Sequence, residues 1–150
     1  MGPSRSAFAS LAPVPGYASL PIPEAFTWDA CVGGLASGEW YLVAFRSILR
    51  PSADLVQLWE HDRRAHREAR GRPGFVHYFH GQPNERNECL SFCLWESREH
   101  AREAAAGPAH QRAIGLVEEM YESYALEFLR VRKREGGELE FEDYERVPTG

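Results

Sequence analysis

Leu90-Ser91-Phe92-Cys93-Leu94-Trp95-Glu96-Ser97, running on through Arg98-Glu99 to Gly107-Pro108-Ala109-His110, is the stretch on which the fold turns. Its first part sets Leu90, Phe92 and Leu94 on one side of an extended chain and Cys89, Ser91, Cys93 and Trp95 on the other. Both sides carry apolar bulk, the pattern of a strand covered on two faces. Ser97 then suits a helix N-cap, with Glu99 in the positively polarised first turn. The alanine-rich helix that follows is interrupted by Gly107-Pro108. Pro108 fits the first position of a new helix, where its missing N–H costs little. That helix carries Ile114, Val117, Met120 and Tyr121, with His110 just past the break.

Working outward, residues 75–80 (Phe-Val-His-Tyr-Phe-His) form another strand, and a polar turn over 81–87 makes the pair a hairpin. Before it, Ser52 or Asp54 can cap a helix, and Gln57, three residues after Asp54, would complete a capping box. Leu55, Leu58, Trp59, Asp62, Ala65, His66 and Ala69 then share one helix face until Gly71-Arg72-Pro73-Gly74 stops it. Residues 40–46 and 124–131 supply the first and last strands. The order βαββαβ predicts an α+β, ferredoxin-like fold: one antiparallel sheet with both helices on a single face. The other face is apolar as well. A bare apolar face calls for a partner, so the expected assembly is a homodimer with its sheets face to face, a dimeric α+β barrel.

Residues 1–38, rich in Pro, Ser, Ala and Gly, read as an extended N-terminal arm, with Phe26, Thr27 and Trp28 docking on the domain or a partner. Residues 39–133 are the domain. Residues 134–150 read as an acidic, solvated tail, although Leu139 and Phe141 leave room for an edge strand. The chain has 150 residues and 43% hydrophobic content, enough for one core. Its formal charge of −5 speaks against a nucleic-acid partner, and no apolar run nears the roughly 20 residues that span a bilayer. The three cysteines form no CxxC. Cys89 and Cys93 would stand about 13 Å apart on one strand, beyond the reach of a disulfide. Reduced thiols and a cytoplasmic location are expected.

The βαββαβ order, Arg72-Pro73-Gly74-Phe75, Trp95-Glu96-Ser97 and Gly107-Pro108-Ala109-His110 together resemble the antibiotic-biosynthesis-monooxygenase-like domains, over about residues 40–132. The resemblance implies the barrel fold, and among activities a small monooxygenase that works on an aromatic or polyketide-like molecule without a cofactor. It also implies a test for the haem-degrading branch. The haem-ligating His of that branch falls here on Ile114 and its second helix Trp on Ala104, two departures that weigh against haem chemistry. A non-enzymatic dimer that binds a small ligand or a protein is the rival of a different class.

Several side chains are candidates for chemistry. His110, in the first turn of its helix, faces free N–H groups that disfavour imidazolium. It is either a neutral base or a packed core ring. Asp62 and His66, four apart, can touch, and a carboxylate beside an imidazole raises its basicity. They form either a catalytic pair or a wet helix flank. Trp59, Tyr78, Phe92 and Trp95 are core or the walls of an aromatic pocket. His77 enters that pocket if it shares a face with Phe75 and Phe79. His77 and His80 point to opposite faces of a strand, so they make a poor metal pair. Arg46 either meets an anionic ligand group at the pocket mouth or forms a surface salt bridge. No metal and no cofactor are expected.

Overall fold

Local chemistry marks where the longer helices begin: a capping side chain for two of them and a proline for a third. In the computed structural model, which describes residues 3–144, the chain first makes three short helices: α1 (Pro3–Phe8), α2 (Ile22–Ala25) and α3 (Asp29–Val32). Then follow β1 (Gly38–Leu49), α4 (Leu55–Arg70), β2 (Phe75–Phe79), β3 (Glu88–Trp95), α5 (Arg98–Ala105), α6 (Pro108–Gly115), α7 (Val117–Met120), β4 (Tyr121–Lys133) and β5 (Leu139–Asp143). Asp54 caps α4 by accepting the Gln57 N–H at 3.1 Å. Ser97 caps α5 by accepting the His100 N–H at 3.2 Å. Gly74, with φ of +81°, supplies the left-handed turn into β2.

The sheet is antiparallel and open, in the order β2-β3-β1-β4-β5. With α4 and α5 on one face it is the expected α+β, ferredoxin-like arrangement. Tyr41, Trp95 and Phe75 meet Ala101 and Ala104 of α5 on that face, and Leu49 meets Leu58 of α4. The second half differs from the sequence reading. The helix opened by Pro108 stops at Gly115, a poor interior helix residue. Tyr121 begins β4 instead of ending a helix.

The opposite face is not bare. Residues 7–35 fold back over it. Phe8, Ile22, Phe26, Trp28 and Cys31 are almost fully buried against Leu42, Ala44, Leu90, Phe92, Leu94 and Val131. A large apolar side chain moved out of water contributes about 1.5–3 kcal/mol, which accounts for the ordering of a Pro-rich stretch that reads as an extended arm. Phe26 lies 4.9 Å from Phe92, and Trp28 lies 5.7 Å from it. The homodimer of stacked sheets was expected because this face looked uncovered; here the chain's own arm covers it. An exposed row of Tyr124, Leu126 and Phe128 remains on the helix side of β4.

The acidic stretch also departs from a solvated tail. Residues 139–143 pair with β4 because Leu139 and Phe141 point inward while their acidic neighbours point out. Phe141 packs at 5.0 Å from Trp28, joining the arm's core. Residues 145–150 of that tail lie outside the described residues.

Candidate functional site

The helices leave a gap over the β2 edge of the sheet. A cleft of about 350 Å³ opens there. Trp59, Asp62, Arg63 and His66 of α4 form one wall, and Tyr78 of β2 with His80 and Gln82 just after it form the other. Helical spacing aims Trp59, Asp62 and His66 at the sheet, while strand alternation aims Tyr78 and His80 at the helix. A second hollow of about 430 Å³, between α1 and α3, is lined by small side chains such as Ala7, Ala30 and Gly34. It gathers no cluster of ionisable groups.

Asp62 is the singular group of the cleft. No ion pair or hydrogen bond reaches its carboxylate among the described residues, and burial pushes its pKa up to about 6. The groups around it resist charge. The His66 ring stacks on Tyr78 at 4.3 Å and 27°. Burial, then Arg70 and His80, push its pKa down. Burial does the same to His80, whose Nδ1 lies 3.4 Å from the Tyr78 hydroxyl. The Tyr78 and Tyr121 hydroxyls are pushed well up, first by burial and then by Asp62. Cys89 is pushed up to about 11, mainly by burial. Near neutral pH, Asp62 is thus the group poised to exchange a proton, beside neutral imidazoles and phenols.

The expected site residues separate. Trp59, Asp62, His66 and Tyr78 come together in the cleft. Asp62 and His66 do not pair, because the imidazole is turned onto the Tyr78 ring. Phe92 lies on the other face of the sheet, as does His77, whose ring stands 6.0 Å from it. A bulge explains His77: Phe75 pairs with Trp95 and His77 with Leu94, so Val76 is an extra residue and every later side chain of β2 changes face. Arg46 is also on the arm side. It pairs with Glu127 at 2.7 Å and donates to the carbonyls of Ala18 and Leu20, fastening the arm instead of meeting a ligand. Trp95 is on the helix side but buried, its Nε1 3.1 Å from the Cys93 sulfur.

His110 lies outside the cleft lining. The N–H groups thought to be free at its helix start are taken: Glu68 accepts from Ala109 at 3.0 Å and from His110 at 3.3 Å. These bonds hold the Glu68 carboxyl below its usual range, and burial pushes His110 down while Glu68 opposes it. Ile114 is exposed and Ala104 packs in the core. His80, Gln82, Arg63 and Tyr121 were not singled out for this site. The i, i+2 spacing of Tyr78 and His80 was the available signal for His80; Gln82 and Tyr121 needed the tertiary fold. Among the described residues no group of three or more His, Cys, Asp or Glu side chains could hold a metal ion, and no helix is long and apolar enough to cross a membrane.

The fold is that of the antibiotic-biosynthesis-monooxygenase proteins among solved structures. Rv0793 from Mycobacterium tuberculosis superposes with a TM-score of 0.54 at 21% identity, over 60% of this chain and 92% of its own. A variant of SnoaB, a cofactor-independent oxygenase from Streptomyces nogalater, superposes at 0.50 and 13% identity, over 73% and 97%. These likenesses are of fold. Within that class, the chain belongs to the PB2B2.08-like family, whose pattern matches residues 4–143, arm and β5 included. The UPF0643 protein PB2B2.08 of Schizosaccharomyces pombe is 33% identical over 103 residues, 65% of this chain and 47% of that protein. The chain thus spans about half the length of this relative.

Proposed function

We propose that the cleft takes a small aromatic molecule and that Asp62 removes a proton from it, starting a reaction with O₂ that needs no cofactor. The observation that carries this reading is the unpaired Asp62 carboxyl, with a pKa of about 6, facing an aromatic cleft. A base titrating near the working pH combines an ionised fraction with useful proton affinity. The volume is at the small end of ligand pockets, which suits one or two fused rings. Trp59 and the stacked His66–Tyr78 pair offer flat walls, and neutral His66 and His80 can donate to a developing oxyanion. The likeness of fold to SnoaB, a cofactor-independent oxygenase, agrees with this chemistry.

The balance can be written for 1-naphthol. Asp62 takes the hydroxyl proton; the naphtholate passes one electron to O₂, the resulting radicals join at the carbon para to the oxygen, and the peroxide anion so formed takes the proton back from Asp62. The hydroperoxide formed there loses water and leaves the 1,4-quinone, so one oxygen atom enters the product and the other leaves as water. In an oxygen electrode the protein should speed O₂ uptake with 1-naphthol or a related hydroxynaphthalene. The rate should rise as pH passes through about 6, where Asp62 ionises, and Asp62→Asn should lower it by about 100-fold, the size of a general-base contribution. An Asp62→Asn variant as active as the parent would remove Asp62 as the base. Binding without O₂ uptake across the series would leave a ligand-binding module.

A further inference from the structure

The arm lies on one face of the sheet and the cleft on the other, yet they meet at one residue. Gln82, on the cleft rim, gives its N–H to the Tyr17 hydroxyl at 3.0 Å, and that hydroxyl donates to the Gln82 carbonyl at 3.3 Å. The Tyr17 ring is braced edge-on against Phe79 at 5.5 Å and tilted on Phe26 at 5.9 Å. From its other side the same short segment is held by β3. The Gly81 N–H donates to Ser91 Oγ at 2.9 Å, and the Cys89 thiol donates to the Gly81 carbonyl at 3.4 Å. A Cβ at Gly81 would collide with the Leu90 carbonyl oxygen, so the segment is seated directly on the β3 backbone. Residues 80–82, which bring His80 and Gln82 to the cleft, are therefore clamped between the sheet and the arm.

We propose that the arm sets the geometry of the cleft, with Tyr17 as the positioning residue that holds the His80–Gln82 rim against α4, so that arm docking and ligand binding favour one another. This rests on the reading of the cleft as the ligand site. It gives the arm a role that covering apolar surface does not require, because both Tyr17 bonds are made to the main chain of a cleft-lining residue. Coupling of this kind is reciprocal: an arm that is docked tightens binding, and a bound ligand holds the arm down by the same factor.

Tyr17→Phe in the full chain keeps the ring and removes both bonds. Two readouts follow: the titration of the His80 ring by NMR, and the binding of 1-naphthol in the absence of O₂, followed by quenching of Trp59. The His80 midpoint should move up toward that of a free imidazole as the rim loosens and water enters, while that of His110, outside the cleft, stays in place. Binding should weaken about 10-fold, the equivalent of about 1.4 kcal/mol. Ser19→Ala, which removes the arm's 3.4 Å bond to Glu88, should change neither. Parent-like His80 titration and parent-like binding in Tyr17→Phe would overturn the proposal. If the parent protein does not bind the probe, the reading of the cleft falls for that ligand class. The His80 midpoint then decides the arm's role alone, an unmoved midpoint overturning it.

Discussion

The two faces of one sheet have been put to opposite uses. On the arm side, Phe26, Trp28, Phe79, Phe92 and Phe141 pack ring against ring, with Arg46 fastening the layer from its margin. On the helix side the cover stops short, and the gap collects Asp62, His66, Tyr78 and His80. The same strands supply both. Stability comes from the face that is filled, while the incomplete face leaves the half-buried Asp62 carboxyl without a partner among the described residues, which costs folding free energy when it is charged. Substitutions on the two faces should therefore shift stability in opposite directions.

The largest effect is expected from Trp28→Ala. Trp28 is 4% exposed, touches the rings of Phe8, Phe26, Phe92 and Phe141, and donates from Nε1 to the Ile22 carbonyl at 2.8 Å. Its removal should cost about 3–5 kcal/mol, read as a fall in the urea midpoint. A loss below about 1 kcal/mol would mean that the arm is a loose cover, and the contrast between the faces would collapse.

Asp62→Asn should act the other way. The folded carboxyl has its pKa raised from 3.8 to about 6, so folding favours the protonated form. That stabilisation is full below about pH 4 and is lost as pH rises through about 6. At pH 7.5 the parent has the carboxylate in the cleft, while the amide carries no charge. The variant should be more stable there by about 1–2 kcal/mol, discounting the shift for the cleft's contact with solvent. The gain should vanish by pH 4. Equal stability of variant and parent across that range would show that the cleft wets Asp62 fully.

How far these faces were legible differs between them. The βαββαβ order followed from periodicity, because Leu90–Trp95 alternates cleanly and Asp54, Ser97 and Pro108 mark helix starts by local chemistry. Trp59, Asp62 and His66 followed from helical spacing. The arm's docking did not, because nothing local in Phe26-Thr27-Trp28 says which surface it meets, and the bare face that suggested a partner sheet is the surface that the arm fills. The faces of β2 hinged on Val76. One extra residue there moved His77 to the dry side and set Tyr78 and His80 toward α4, and no run of side chains announces a bulge. His110 looked free because the carboxylate that occupies its helix end, Glu68, comes from 42 residues away.

His110→Ala should have the smallest effect, and it separates the cleft from its surroundings. The ring is half-buried near the contact between α4 and α6, with no hydrogen bond to its imidazole among the described residues. The Glu68 bonds at that end run to main-chain N–H groups, which alanine retains. At pH 7.5 the loss should stay within about 1 kcal/mol, as for a partly buried side chain with no special role. Burial depresses the His110 pKa, so its contribution is complete above the ordinary imidazole value and is lost as pH falls through the folded one. The variant should lose less stability than the parent between pH 7 and pH 5. Any O₂ uptake should keep its rise near pH 6, because the proposed base is Asp62. If His110→Ala moved the midpoint of the rate while Asp62→Asn left it in place, the base would lie at the α6 start and the division between the filled face and the working cleft would have to be redrawn around Glu68 and His110.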